Sequence, residues 1–316
     1  MKNKRNPDVL HVGFSKCAST FLQSFFSAHP SIFLVDQSHY FAPISIGYYD
    51  RGAEWYQCLY DTAKSDHTTL ESDEHILMPL FHPVLHSAAT TLDSLELITK
   101  RIRKTNPDAK IIIGVRNQAD LLVSRYSEYM ICGGTLGFDK FVEEQIQCSV
   151  DGRCYYENYY FEIVKHIESI FGASNVFVFC QEQLRLSEPQ VLQKLCDFIG
   201  VSYQETGPRN MVSQRVGLSS LGLKLMRSFN TLVVVQCKMN HRDPVVRLPK
   251  IVYKSTVRAI RYLDYRLPNA VKGDKITILS PMARNRILSL FEKDNRRLSE
   301  YLNIDLSQHG YYTTRY

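Results

Sequence analysis

Three times along this chain a short apolar run gives way to a stretch whose apolar residues recur at helical spacing, and this alternation restricts the fold more than any other feature. Val9-Leu-His-Val-Gly13 precedes Ala18, Phe21, Leu22, Phe25 and Phe26, and Ile111-Ile-Ile-Gly-Val115 precedes Ala119, Leu122, Val123 and Tyr126. Val176-Phe-Val-Phe179 lies between an amphipathic stretch around 159–171, closed by Gly172, and another carrying Val191, Leu192, Leu195, Phe198 and Ile199. Repeated strand–helix units predict a parallel sheet covered by helices on both faces. In such sheets ligands bind at the carboxyl ends of the strands. His29-Pro30 ends the first helix because proline lacks a backbone donor and disfavours a helical residue before it, and Ile32–Val35 reads as a further strand. Near the end of the chain, 281–303 forms an amphipathic helix with Ile287, Leu288, Phe291, Leu298, Tyr301 and Leu302 expected to face the core.

Between the last two of these stretches the pattern lapses. Residues 221–275 contain three prolines and no clear strand–helix unit, and they hold 12 Lys or Arg against 3 Asp in a chain whose net charge is only +6. The basic character therefore belongs to this segment, read here as an insertion or lid within one domain spanning 1–316. It suits an anionic acceptor, a membrane surface or simply a solvated helical face. The longest apolar runs are far shorter than the roughly 20 residues that cross a bilayer, so no spanning helix is predicted. The basic first residues do not continue into a signal-peptide core. The chain has 8 cysteines and no C-x-x-C pair. No zinc site or dense disulfide framework is expected, and a reducing, cytoplasmic setting fits, with a Cys148–Cys154 bridge left open.

Two constellations carry chemistry, each just past a predicted strand. The first is Gly13-Phe-Ser15-Lys16-Cys17-Ala18-Ser19-Thr20. Free N–H groups and the positive dipole end of a helix favour a phosphate at such a loop. A nucleoside-triphosphate loop needs the spacing G-x-x-x-x-G-K-[ST], which is not met. The second is Arg116-Asn-Gln-Ala-Asp-Leu-Leu-Val-Ser124, where arginine offers a planar fork of donors and serine a hydroxyl.

Together these residues resemble the family of sulfotransferases that use 3′-phosphoadenosine-5′-phosphosulfate (PAPS), whose loop reads roughly G-x-x-K-x-G-[ST]-[ST]. Ala18 stands where that family has glycine, a small departure if its φ is negative. The resemblance implies a P-loop-like α/β fold, with Ser15, Lys16, Cys17, Ala18, Ser19 and Thr20 around the 5′-phosphate and Arg116 and Ser124 at the 3′-phosphate. Lys16 would stabilise the bridging oxygen as it gains charge. It further implies in-line transfer of a sulfuryl group to a hydroxyl or amine, without a metal. Stretches 155–201 and 291–306 resemble the same family, and 221–275 lies outside the resemblance, where acceptor choice is expected.

Carbohydrate-sulfating members often carry K-E-x-H-[FY]-F after the second strand, with the glutamate as base. Here the stretch is Asp36-Gln37-Ser38-His39-Tyr40-Phe41, and Gln37 cannot accept a proton. His39 is the first candidate for the base, with Asp36 and Glu71 as alternatives and His75, His82 and His86 behind them. The acceptor class implied is a carbohydrate or glycolipid, in a bacterial cytoplasmic setting, with peripheral membrane contact through 221–275 and no nucleic-acid partner. A kinase on the same sheet, and a non-catalytic nucleotide- or membrane-binding protein, are the competing readings.

Overall fold

The computed structural model describes residues 7–35, 66–74, 95–96, 99–100, 102–104, 106–150, 159–205, 217–236, 244–273 and 278–312. Five strands, β1 (Val9–Gly13), β2 (Ile32–Val35), β3 (Thr68–Ser72), β4 (Lys110–Val115) and β5 (Val176–Cys180), form one sheet in the order β2-β3-β1-β4-β5. Every pairing is parallel. Successive residues of a strand face opposite sides, and the two sides hold different helices. One side of the sheet buries Leu10, Val12, Ile111 and Ile113 against Tyr160, Ile163, Val164 and Ile167 of α4 (Tyr160–Phe171). On the other, Val9, Leu70 and Ile112 pack on α1 (Ser19–Ala28) and on α6 (Glu188–Ile199). The predicted helix-covered parallel sheet is therefore the observed one.

The intervening elements are α2 (Gln118–Ile131), α3 (Phe138–Val150) and α5 (Gln181–Leu186). The helix expected near the end of the chain is α10 (Pro281–Leu302), which buries Ile287, Leu288, Phe291 and Leu298 as foreseen but leaves Tyr301 exposed. Two polar residues, Asp294 and Asn295, take places on its inner face, where Asp294 accepts the Phe161 N–H at 3.1 Å and Asn295 exchanges hydrogen bonds with Gln118 at 2.8 and 2.9 Å.

Where no regular unit was expected, 221–275 folds into α7 (Ser220–Val233), a short antiparallel pair β6 (Val234–Gln236) and β7 (Val245–Val246), then α8 (Lys250–Arg266) and α9 (Asn269–Lys272). The apolar stripe of α8 is narrow, with Tyr253 and Val257 buried, Ile260 partly so and Asp264 completing the face. That is why periodicity alone did not reveal it. Asp264 is buried and accepts from the Ser219 backbone N–H at 2.9 Å and from the Ser219 hydroxyl, tying α8 to the start of α7. Tyr253 and Val257 share a third core cluster with Leu122, Tyr126 and Met130 of α2 and Ile287 and Phe291 of α10. The basic segment is thus packed against the helices beside the sheet.

Candidate active site

The loop after β1 is shaped by backbone geometry. Gly13 has φ 153°, and Lys16 and Ala18 are left-handed at 66° and 69°. Turns containing left-handed residues gather backbone N–H groups into concavities suited to anions. Ala18 is left-handed, so the negative φ under which alanine in place of glycine would be a small departure is not met. The loop needs a left-handed residue immediately before α1, and alanine bears that strain in place of glycine.

Two close approaches hold the loop to β4. The Phe14 N–H donates to Gly114 O at 3.0 Å, and a side chain on Gly114 would meet the Phe179 ring at 2.6 Å and the Cys17 Cβ at 3.1 Å. The Cys17 side chain turns inward from the loop. It is fully buried in the core, the Cys17 N–H donates to Phe14 O at 3.3 Å, and burial pushes the thiol pKa far up. It shapes the loop from within. Ser15 is likewise buried, whereas Lys16 and Thr20 are half-buried.

Ala18 is the N-cap of α1, with no side-chain hydrogen bond to the cap and no acid in the first turn. The first N–H groups of a helix have no intrahelical partners. Those of Ser19, Thr20 and Phe21 are thus directed toward whatever anion the loop receives.

Arg116 follows β4 and is nearly buried, its Nη1 donating to Lys16 O at 3.1 Å. Behind it, the Tyr160 hydroxyl donates to Arg116 O at 2.6 Å. Asn117 caps α2 by accepting from Ala119 and Asp120 N–H at 3.0 and 3.2 Å, and its own N–H donates to Glu182 Oε1 at 3.0 Å. The Tyr311 hydroxyl donates to the other oxygen of Glu182 at 2.8 Å, while Asn117 Nδ2 donates to Gly310 O. Residues far apart in sequence therefore fix the turn that presents Arg116.

Ser124 is half-buried on α2, four residues after Asp120 and four before Glu128. Residues at this spacing share one helix face. Glu128 pairs with Lys16, Oε2 to Nζ 3.0 Å, and Asp120 pairs with Arg284, Oδ1 to Nη1 2.7 Å. Ser124 thus shares its helix face with Glu128, which reaches the loop at Lys16, and with Asp120, which reaches α10. Arg185 of α5 stands close by. Partial burial, and after it the charge of Arg116, lower its pKa. Glu128, Glu182 and Arg185 escaped the sequence reading, because no local pattern marks them.

Of the proposed bases, His39 and Asp36 lie outside the described residues, as do His75, His82 and His86. Glu71 is within them. It sits in β3, almost fully buried, and burial, then the nearby Asp73, raises its pKa well above the usual carboxylate range. Among the described residues no cluster of three or more potential metal ligands occurs.

A parallel sheet whose first strand ends in a lysine-bearing loop and an open helix N-terminus, with an arginine past the neighbouring strand, defines a P-loop-like phosphate-binding protein. Residues 6–219 match the sulfotransferase domain family, and the chain belongs to that family of PAPS-dependent enzymes. A sulfotransferase from Alicyclobacillus acidocaldarius superposes with a TM-score of 0.58 at 18% identity, over 96% of this chain and 98% of that one, and shows the shared fold. A mouse sulfotransferase, SULT7A1, complexed with PAP, gives 0.47 at 18% identity over 95% and 90%. No curated protein matches the chain in sequence.

Proposed function

We propose that this sulfotransferase moves the sulfuryl group of PAPS to a hydroxyl or amine of a carbohydrate or glycolipid, with Lys16, Arg116 and Ser124 as its donor-handling side chains. When bound, PAPS supplies the sulfuryl group, and the 5′-phosphate of the nucleotide departs. The observation that carries the reading is the meeting of Lys16 and Arg116 at one loop, where Glu128 of α2 also reaches Lys16. The open N–H groups of Ser19 and Thr20 suit the 5′-phosphate, and the Arg116 fork with the Ser124 hydroxyl suits the 3′-phosphate. Lys16 supplies a fixed cation where negative charge grows on the leaving oxygen. His39, with Asp36 as the alternative, is proposed as the base that takes the acceptor proton.

The stretch His39-Tyr40-Phe41 and the basic 221–275 segment support a carbohydrate or glycolipid acceptor. The free thiols of Cys17, Cys132, Cys180 and Cys196 support a reducing, cytoplasmic setting. No helix among the described residues is long and apolar enough to cross a membrane.

Calorimetric titration with 3′-phosphoadenosine-5′-phosphate, the desulfated product, tests the donor assignment, with ATP and ADP as comparators. Binding that depends on the 3′-phosphate and weakens at least tenfold in Arg116→Ala is expected, as is loss of transfer in Lys16→Ala with binding largely kept. Preference for ATP, or indifference to Arg116→Ala, would return the kinase or the non-catalytic reading.

A further inference from the structure

The helix α8 carries five cations, Lys250, Lys254, Arg258, Arg261 and Arg266, and a single acid, Asp264. That acid points inward to Ser219, so the outer surface of the helix bears no carboxylate. At 3.6 residues per turn, Ile251, Arg258, Tyr262 and Arg266 fall on one stripe opposite the buried Tyr253 and Val257. Tyr265 borders this stripe, and Arg261 lies beyond it on the same side, toward the buried face.

The apolar members are prominent. Ile251 is 76% exposed, Tyr265 71%, Leu263 61% and Tyr262 60%, and the Arg266 guanidinium lies 5.2 Å from the Tyr262 ring centre. The exposure continues in the elements α8 is joined to, where Leu232 of α7, Val235 of β6 and Val271 of α9 are also largely exposed.

A merely solvated face has no use for these apolar side chains, and a soluble polyanion would engage the cations and leave the aliphatics in water. An anionic bilayer uses both, since cations sit at the headgroups, aliphatic side chains enter the acyl boundary and tyrosines prefer the level between. We propose that the outer face of α8, formed by Ile251, Arg258, Arg261, Tyr262, Tyr265 and Arg266, docks peripherally on membranes rich in anionic phospholipid. This surface is independent of the donor site.

Co-sedimentation with phosphatidylcholine vesicles, with and without phosphatidylglycerol, tests it at low and high salt, with heparin as the soluble polyanion. Salt-sensitive binding confined to the phosphatidylglycerol vesicles is expected. Arg258→Gln/Arg261→Gln should weaken it roughly 30-fold, at about 1 kcal/mol per cation near the surface. Ile251→Ser/Tyr262→Ser should weaken vesicle binding while sparing heparin. Both variants are surface changes, and unchanged thermal melting verifies that each is folded. Absence of binding to anionic vesicles, or equal binding by the variants, would overturn the proposal. So would vesicle binding insensitive to Ile251 and Tyr262, which would mark a polyanion site instead.

Discussion

Ala18 occupies left-handed backbone immediately before α1, where the side chain of an L-residue crowds its own carbonyl. Replacing it by glycine removes that crowding, partly offset by the greater freedom glycine has in the unfolded chain. Ala18→Gly should therefore stabilise the protein by about 0.5–1 kcal/mol, read as a higher denaturant midpoint at unchanged slope. Glu128 poses a different question at the same loop. Its carboxylate holds Lys16 at 3.0 Å, at the loop proposed to receive the donor's negative charge. The pair is partly exposed and worth no more than about 1 kcal/mol, so Glu128→Gln should tighten binding of the desulfated nucleotide by up to about fivefold in calorimetry. Lys16, Arg116 and Ser124 were singled out in the sequence because loop chemistry and spacing are local properties, and the structure sets Lys16 and Arg116 at one loop. Glu128 was not, because only the packing of α2 against the loop gives it meaning.

Among the elements, β3 was the one strand of the sheet that hydrophobic patterning did not disclose. Its sequence, Thr-Thr-Leu-Glu-Ser, is mostly polar, yet residues 69–72 are buried, and their partners are remote. Thr69 donates to Asp8 Oδ2 at 2.8 Å, while Ser72 shares a 2.7 Å hydrogen bond with His11 Nδ1 and accepts from Gln23 at 3.2 Å. Polar side chains satisfied this way cost little on burial, and a pattern that counts apolar residues passes over them. Burial in β1 also lowers the His11 pKa from 6.5 to about 4. A histidine held neutral in the fold contributes stability that is complete above its unfolded pKa and is lost as pH falls from about 6.5 through 4. The loss from this one residue is on the order of 3 kcal/mol. His11→Gln should flatten that part of the profile, as measured by chemical denaturation at pH 7, 5 and 4.

On the scale of the molecule, the sheet with its two helical faces was foreseeable from alternation, whereas the third core cluster was not, since α3, α7 and α8 announce themselves only weakly. That cluster depends on a polar contact between helices. A side chain on Gly222 would come within 2.5 Å of the Asp264 carboxyl, which shows how closely α7 and α8 approach. Asp264→Ala would leave the Ser219 N–H and hydroxyl without their acceptor and should cost about 2–3 kcal/mol. Hydrogen exchange would show the loss concentrated in α7 and α8.

The hydrogen bonds from Tyr311 to Glu182 and from Asn117 to Gly310 reach the turn that presents Arg116 from the 306–311 stretch. During synthesis the loop after β1 and Arg116 leave the ribosome well before the 306–311 residues that brace the arginine. The turn that presents Arg116 is therefore braced only once residue 311 has been made, and nascent chains halted short of this stretch would hold the sheet without that brace.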